Sequence, residues 1–142
     1  MFELLNRDRS NPAYTAETGG QAAPLRWSAG LAAVARAHSE EMLKAGYFGH
    51  VDREGRSPGT RVKAAGIPWQ TVGENIAGYG SVAGANAAFM REPAHEENHR
   101  AIILSRKYTE VGVGIVKAPD GSYYITEDFV GTPAESQTAR TR

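Results

Sequence analysis

The chain has 142 residues, enough for one domain of ordinary size that buries a core without staples. Its 16 basic and 16 acidic residues cancel and neither sign forms a long run, which argues against nucleic acid as a partner. No cysteine is present, so disulfides, thiolate zinc sites and a cysteine nucleophile are excluded.

Residues 1–7 lack a basic region followed by a long apolar run, so no signal peptide is visible, and no later segment approaches the length of a membrane span. Phe2, Leu4 and Leu5 instead open a short amphipathic stretch over 2–9, followed by a loop from Ser10 to Pro24. Ser28 reads as an N-cap, and Leu31, Val34, Ala35, His38 and Met42 fall at helical spacing. A helix is therefore predicted over 29–45, with Gly46 as its stop. Ser57-Pro58 predicts a second, short helix running to Ala65. Residues 69–79 mix aromatic and β-branched residues with Gly73 and Gly78, which predicts an irregular strand. Ser81 opens a further helix in which Val82, Ala85, Phe89 and Glu92 share one face, until Pro93 ends it.

Tyr108–Lys117 and Ser122–Val130 carry the clearest strand signal, rich in Val, Ile, Tyr and Thr around the turn Pro119-Asp120-Gly121. Glycines 112 and 114 fall inside this pattern, where they suit close packing. The polar tail 132–142 is expected to fray. Helices first and a hairpin last predict an α+β fold, with an antiparallel sheet covered by helices and one domain over 1–131.

Four residues stand at the edges of these segments: His50, Glu74, Glu92 and His99. Gathered in one cleft, two imidazoles and two carboxylates suit a divalent metal, a proton-transfer site or a polar ligand. Each also has a plainer reading. His50 could be a loop histidine packed on Tyr47 and Phe48, Glu74 a cap on a loop amide, Glu92 an exposed helix end, and His99 a solvated ring. His38, on the apolar stripe of the first long helix, reads as a satisfied core histidine rather than a ligand.

The segments line up in order with a known family. Leu25-Arg26-Trp27-Ser28, Phe48-Gly49-His50-Val51-Asp52, Gly73-Glu74-Asn75-Ile76-Ala77, His99-Arg100-Ala101-Ile102-Ile103-Leu104 and Tyr108-Thr109-Glu110-Val111-Gly112-Val113-Gly114 carry the likeness. On these the chain resembles the CAP superfamily, or SCP-like domains, which includes cysteine-rich secretory proteins, insect venom antigen 5 and plant pathogenesis-related class 1 proteins. The resemblance is to the cysteine-free bacterial branch and spans about residues 4–130. It implies a three-layer αβα sandwich, a location outside the cell or in its envelope, and a cleft lined by His50, Glu74, Glu92 and His99. The segment Pro93–Asn98, directly after Glu92, departs from the usual pattern.

In such a cleft His50 and His99 would be the metal ligands, zinc being the natural choice, and carboxylates outside the first shell would fix each tautomer. Binding should weaken below about pH 6.5, where free imidazole protonates. No organic cofactor is called for, since no glycine-rich phosphate loop occurs. His95-Glu96-Glu97-Asn98-His99 matches the HExxH pattern of zinc proteases, but Pro93 stands too close for a helix to carry it. The leading expectation is a binding module for a metal and a lipid or cell-wall ligand. The alternative is a metal-dependent hydrolase with Glu74 or Glu92 as the base. A third reading leaves the four residues as polar packing and puts function on the surface.

Overall fold

The computed structural model describes residues 1–20 and 22–132, so most of the polar tail lies outside the described residues. A four-stranded sheet of order β1-β3-β4-β2 forms the middle layer, from β1 (Arg26–Trp27), β2 (Thr71–Tyr79), β3 (Glu110–Lys117) and β4 (Tyr123–Gly131). Helices α3 (Ala29–Ala45) and α4 (Pro58–Ala64) cover one face; α1 (Phe2–Arg9), α5 (Val82–Met90) and α6 (His99–Leu104) cover the other. This is the αβα sandwich expected. A four-residue helix, α2 (Thr15–Thr18), and a 3₁₀ turn (Pro12–Tyr14) lie in the segment expected to be loop.

Local chemistry explains the boundaries. The Ser28 hydroxyl accepts the Leu31 amide at 3.1 Å, and Gly46 closes α3 in the left-handed conformation at φ +73°. Ser57 caps α4 through the Thr60 amide at 3.3 Å, with Pro58 at the first helical position. Asn98 caps α6 through the Ala101 amide at 2.9 Å. The hairpin β3–β4 turns at Pro119-Asp120-Gly121 as predicted, with the Gly121 amide donating to Ala118 at 2.9 Å.

Three expectations need correction. The sheet is not wholly antiparallel: β1 pairs parallel with β3 through Arg26 and Trp27, and two residues are too few to carry a periodic signal. Strand β2 is regular, paired residue for residue with β4 from Thr71 to Tyr79. Glu92 does not close the stripe of α5. That helix ends at Met90, the Arg91 and Glu92 amides fold back onto Ala87 and Phe89 at 3.0 and 3.2 Å, and Pro93 disfavours helix for the residue before it.

The alternation of β4 sorts the core. Phe129 and Ile125 join Leu5, Phe89, Ile103 and Val111 on the α1/α5/α6 face, while Val130 meets Leu31 and Val62 on the α3/α4 face. Gly112 and Gly114 also turn toward α3, where a methyl on either would land on the backbone of that helix. The close packing read from the sequence is therefore present. It holds α3 directly on the sheet and sets the position of the loop that follows it.

Candidate functional site

The loop between α3 and α4 carries His50, and buried Asp52 stiffens it. One Asp52 oxygen accepts the Glu54 and Arg56 amides at 3.0 and 2.8 Å, and the other accepts Arg56 Nε at 2.8 Å. Burial pushes this carboxyl up, and the Arg56 and Glu54 bonds overcome that to hold it below the usual range. His50 is fixed twice. Its carbonyl accepts both terminal guanidinium nitrogens of Arg61, at 3.0 and 3.3 Å, and its Nδ1 meets Glu74 Oε1 at 2.8 Å.

Glu74 comes from β2 and is buried, while the His50 ring is half exposed. Its second oxygen accepts Arg61 Nη2 at 2.8 Å. Burial alone would raise the Glu74 carboxyl; bonds from His50 and Asp128, with the charge of Arg61, bring it below the usual range. An ionised Glu74 requires the proton of His50 on Nδ1, which leaves the lone pair on Nε2.

Behind Glu74 stands a polar layer that sequence reasoning did not assign to the site. His38 Nε2 meets the Gly49 carbonyl at 2.7 Å, and its Nδ1 accepts from Arg61 Nη1 at 3.0 Å. This defines a neutral ring with its proton on Nε2, and burial favours that neutral form. His38 is the satisfied core histidine expected, and it steadies Gly49 beside His50. Asp128 lies opposite Glu74 in the β2–β4 register, fully buried, with no donor reaching either carboxyl oxygen. Burial, with the neighbouring Glu74 carboxylate, raises its pKa well above the usual carboxylate range.

The second half is built from the other face. His99 opens α6, its Nδ1 2.7 Å from Glu92 Oε2, and Glu92 Oε1 accepts the Arg100 amide at 3.2 Å. The ring stacks on Phe89 with centroids 4.5 Å apart and planes 10° apart. Glu92 thus reaches His99 from the turn after α5 rather than from the helix. Arg100 ties this turn to Glu17 and to the Met90 carbonyl. Asn75 donates from β2 to the His99 carbonyl at 3.3 Å and to Glu127 at 3.1 Å.

The HExxH reading fails on geometry. His95 sits in a turn at φ +64° and α6 starts only at His99, so no helix carries both rings. The four predicted residues do come together: His50, Glu74, Glu92 and His99 line one cleft of about 690 Å³, with Tyr108 and Ile102 on its apolar side. Among the described residues, neither histidine Nε2 has a partner and no three His, Asp or Glu form a ligand cluster.

Comparison with known proteins gives this arrangement a family. The profile of the cysteine-rich secretory protein family, CAP, matches residues 2–129. Two proteins of Bacillus subtilis (strain 168) are each 37% identical: the membrane protein YlbC over 108 residues and the protein YkwD over 132. The matches cover 76% and 92% of this chain but 29% and 46% of those proteins, so the chain spans less than half of either. An extracellular SCP-domain protein from Bacillus anthracis superposes with a TM-score of 0.75 at 26% identity, over 92% of this chain and 39% of that one. An outer surface protein of Borrelia burgdorferi shares the fold alone, with a TM-score of 0.73 at 14% identity over 92% of both chains. On this match and this fold, the chain belongs to the CAP family of cysteine-rich secretory proteins, as a member with no cysteine.

Proposed function

We propose that this CAP domain is a binding module that works outside the cytoplasm, holding a divalent cation and a lipid or cell-wall ligand in the cleft between His50 and His99. One observation carries the reading. Each imidazole is bound at Nδ1 by its own carboxylate, Glu74 at 2.8 Å and Glu92 at 2.7 Å, so each leaves its Nε2 lone pair free, and both residues line the same cleft. Two neutral imidazoles with no third protein ligand fit an open, weak site for zinc or a similar ion. A bound cation would supply Lewis acidity toward an oxygen of the ligand. The chain's own part is to fix both tautomers, through Glu74 with Arg61 and through Glu92 with the Arg100 amide. The location is supported by the extracellular and outer surface proteins that share the fold.

The hydrolase alternative is less well served. It needs a free carboxylate as base, yet Glu74 already accepts from His50 and Arg61, and Glu92 from His99 and Arg100. Calorimetric titration with zinc at neutral pH tests the site. The wild type should bind one ion, and the His50→Ala/His99→Ala pair should bind none. Unchanged binding in that double variant rejects the assignment. Chelator-sensitive cleavage of a peptide or muropeptide, lost in Glu74→Gln, would restore the hydrolase.

A further inference from the structure

The cleft does not end at His50. On the far side of that residue lies a second depression of about 570 Å³, lined by Ser57, Thr60, Lys63, Trp69 and Val72, with His50 and Glu74 shared between the two. The ridge between them is residues 71–75 of β2: Thr71 and Asn75 line the main cleft, Val72 the second depression and Glu74 both, while Gly73 lines the second depression with its backbone and would point a Cβ at Tyr108 in the main cleft.

Strand β2 is the edge of the sheet. Its hydrogen-bonding direction follows from its neighbour. The Val130 carbonyl accepts the Thr109 amide at 2.9 Å, on the β3 side of β4. In an antiparallel pair the N–H and C=O of one residue point the same way and alternate along the strand. Val72, paired with Val130, therefore turns its N–H and C=O to the free edge, and Glu74, two residues on, does the same. Among the described residues, one hydrogen bond from another element reaches these four groups, the Tyr108 hydroxyl to Val72 O at 3.4 Å. Thr71, Val72 and Gly73 are partly exposed, whereas Glu74 to Ala77 are buried, so the open stretch is short and ends at the Glu74 backbone.

We infer that the ligand of this cleft is an extended polypeptide segment, laid along residues 71–75 as an added strand and sending alternate side chains into the two depressions. Edge-facing backbone groups two residues apart, with only Val72 O already engaged, match a peptide backbone, and pockets on both faces match its alternating side chains. A glycan has no such repeat, and the Trp69 ring that could stack a sugar is already covered by Lys63, whose Nζ is 4.9 Å from its centroid. Charge sets the side-chain preference. In the second depression Glu74 is neutralised by Arg61, which leaves Lys63 to favour an acidic residue. The inference rests on reading the cleft as a ligand site and does not depend on the cation.

The test uses labelled, capped octapeptides of alternating valine and threonine. They carry one aspartate or one lysine at either of two adjacent central positions, or neither, and are titrated against the full chain with and without zinc. The aspartate peptide should bind more tightly than its lysine counterpart, with the order reversed in Lys63→Glu. N-methylation of successive peptide amides should weaken binding about tenfold at every second position and little in between. Val72→Pro, which removes an edge N–H but no ladder bond, should weaken binding with the fold retained by circular dichroism. Should that variant not fold, the N-methyl series still decides. Binding insensitive to methylation overturns the inference, as does failure of every octapeptide, whether or not a chito-oligosaccharide binds in parallel. Zinc binding without peptide binding rejects this inference alone, and peptide binding without zinc binding rejects the metal site alone.

Discussion

Arg61 holds three parts of the site with one guanidinium: the His50 carbonyl, His38 Nδ1 and the Glu74 carboxylate. Arg61 and Glu74 are both buried, so removing the cation strands an anion in the interior. Arg61→Met should therefore lose about 3–5 kcal/mol in urea unfolding, while Arg61→Met/Glu74→Leu should recover much of that, because no buried charge is left unpaired. Zinc affinity should not recover with it, since His50 Nδ1 then lacks its acceptor. Recovery of both would mean that the pair serves stability only. Glu127 makes the opposite case. It accepts Asn75 Nδ2 with one oxygen and has no donor on the other, and burial pushes its pKa up to about 7. For an acid raised in the folded state, the stability present at low pH is lost as pH rises from the unfolded value near 4.5 toward 7. Glu127→Gln should remove that decline, leaving stability near pH 4 little changed and raising it at pH 8 by at most about 3 kcal/mol. Thermal melts across this range check the sign; an equal shift at both pH values would contradict it.

Elements differed in how plainly the chain announces them, and the difference is physical. Helices α3 and α4 were legible because serine caps, a proline at the first position and a glycine stop act locally. Glu92 was misplaced because helical spacing continues past Met90, whereas the hydrogen bonds turn back before Pro93. The buried layer behind the site was missed for a related reason. Thr126-Glu127-Asp128 resembles a solvated stretch, yet consecutive residues of an interior strand point to opposite covered faces, and all three are buried. Three polar residues in the middle of an apolar strand were the available signal. The glycines of β3 were read correctly because a strand offers few other uses for them. Gly114→Ala would put a methyl into the backbone of Ala35 and Arg36, which a side-chain rotation cannot relieve. A loss of about 3 kcal/mol is expected in denaturant unfolding, in the upper range for overpacking. A loss below about 1 kcal/mol would show that α3 can lift off the sheet at little cost.

At the scale of the whole molecule, the two histidines belong to opposite layers. His50 follows α3 on one face of the sheet and His99 begins α6 on the other, with the edge of β2 running between them. His50, Glu74 and His99 could be located from their motifs, but not this division, because it depends on β2 being the edge strand and on which face each helix takes. The division has a mechanical consequence. An ion shared by the two Nε2 atoms would tie the outer layers together across an edge that no other strand covers, so its binding should resist opening of the cleft as well as add affinity. By mass action, zinc at a hundredfold excess over its Kd should stabilise the folded chain by about 2.7 kcal/mol. Hydrogen exchange should slow in two separated stretches at once, the loop 47–57 and the turn 91–98, and much less in β4, which is already paired on both sides. His50→Ala alone should abolish protection in both stretches, including the one that carries His99. Protection confined to the turn 91–98 in that variant would mean that His99 binds the ion without His50, and the cleft would then not be strapped across the sheet edge.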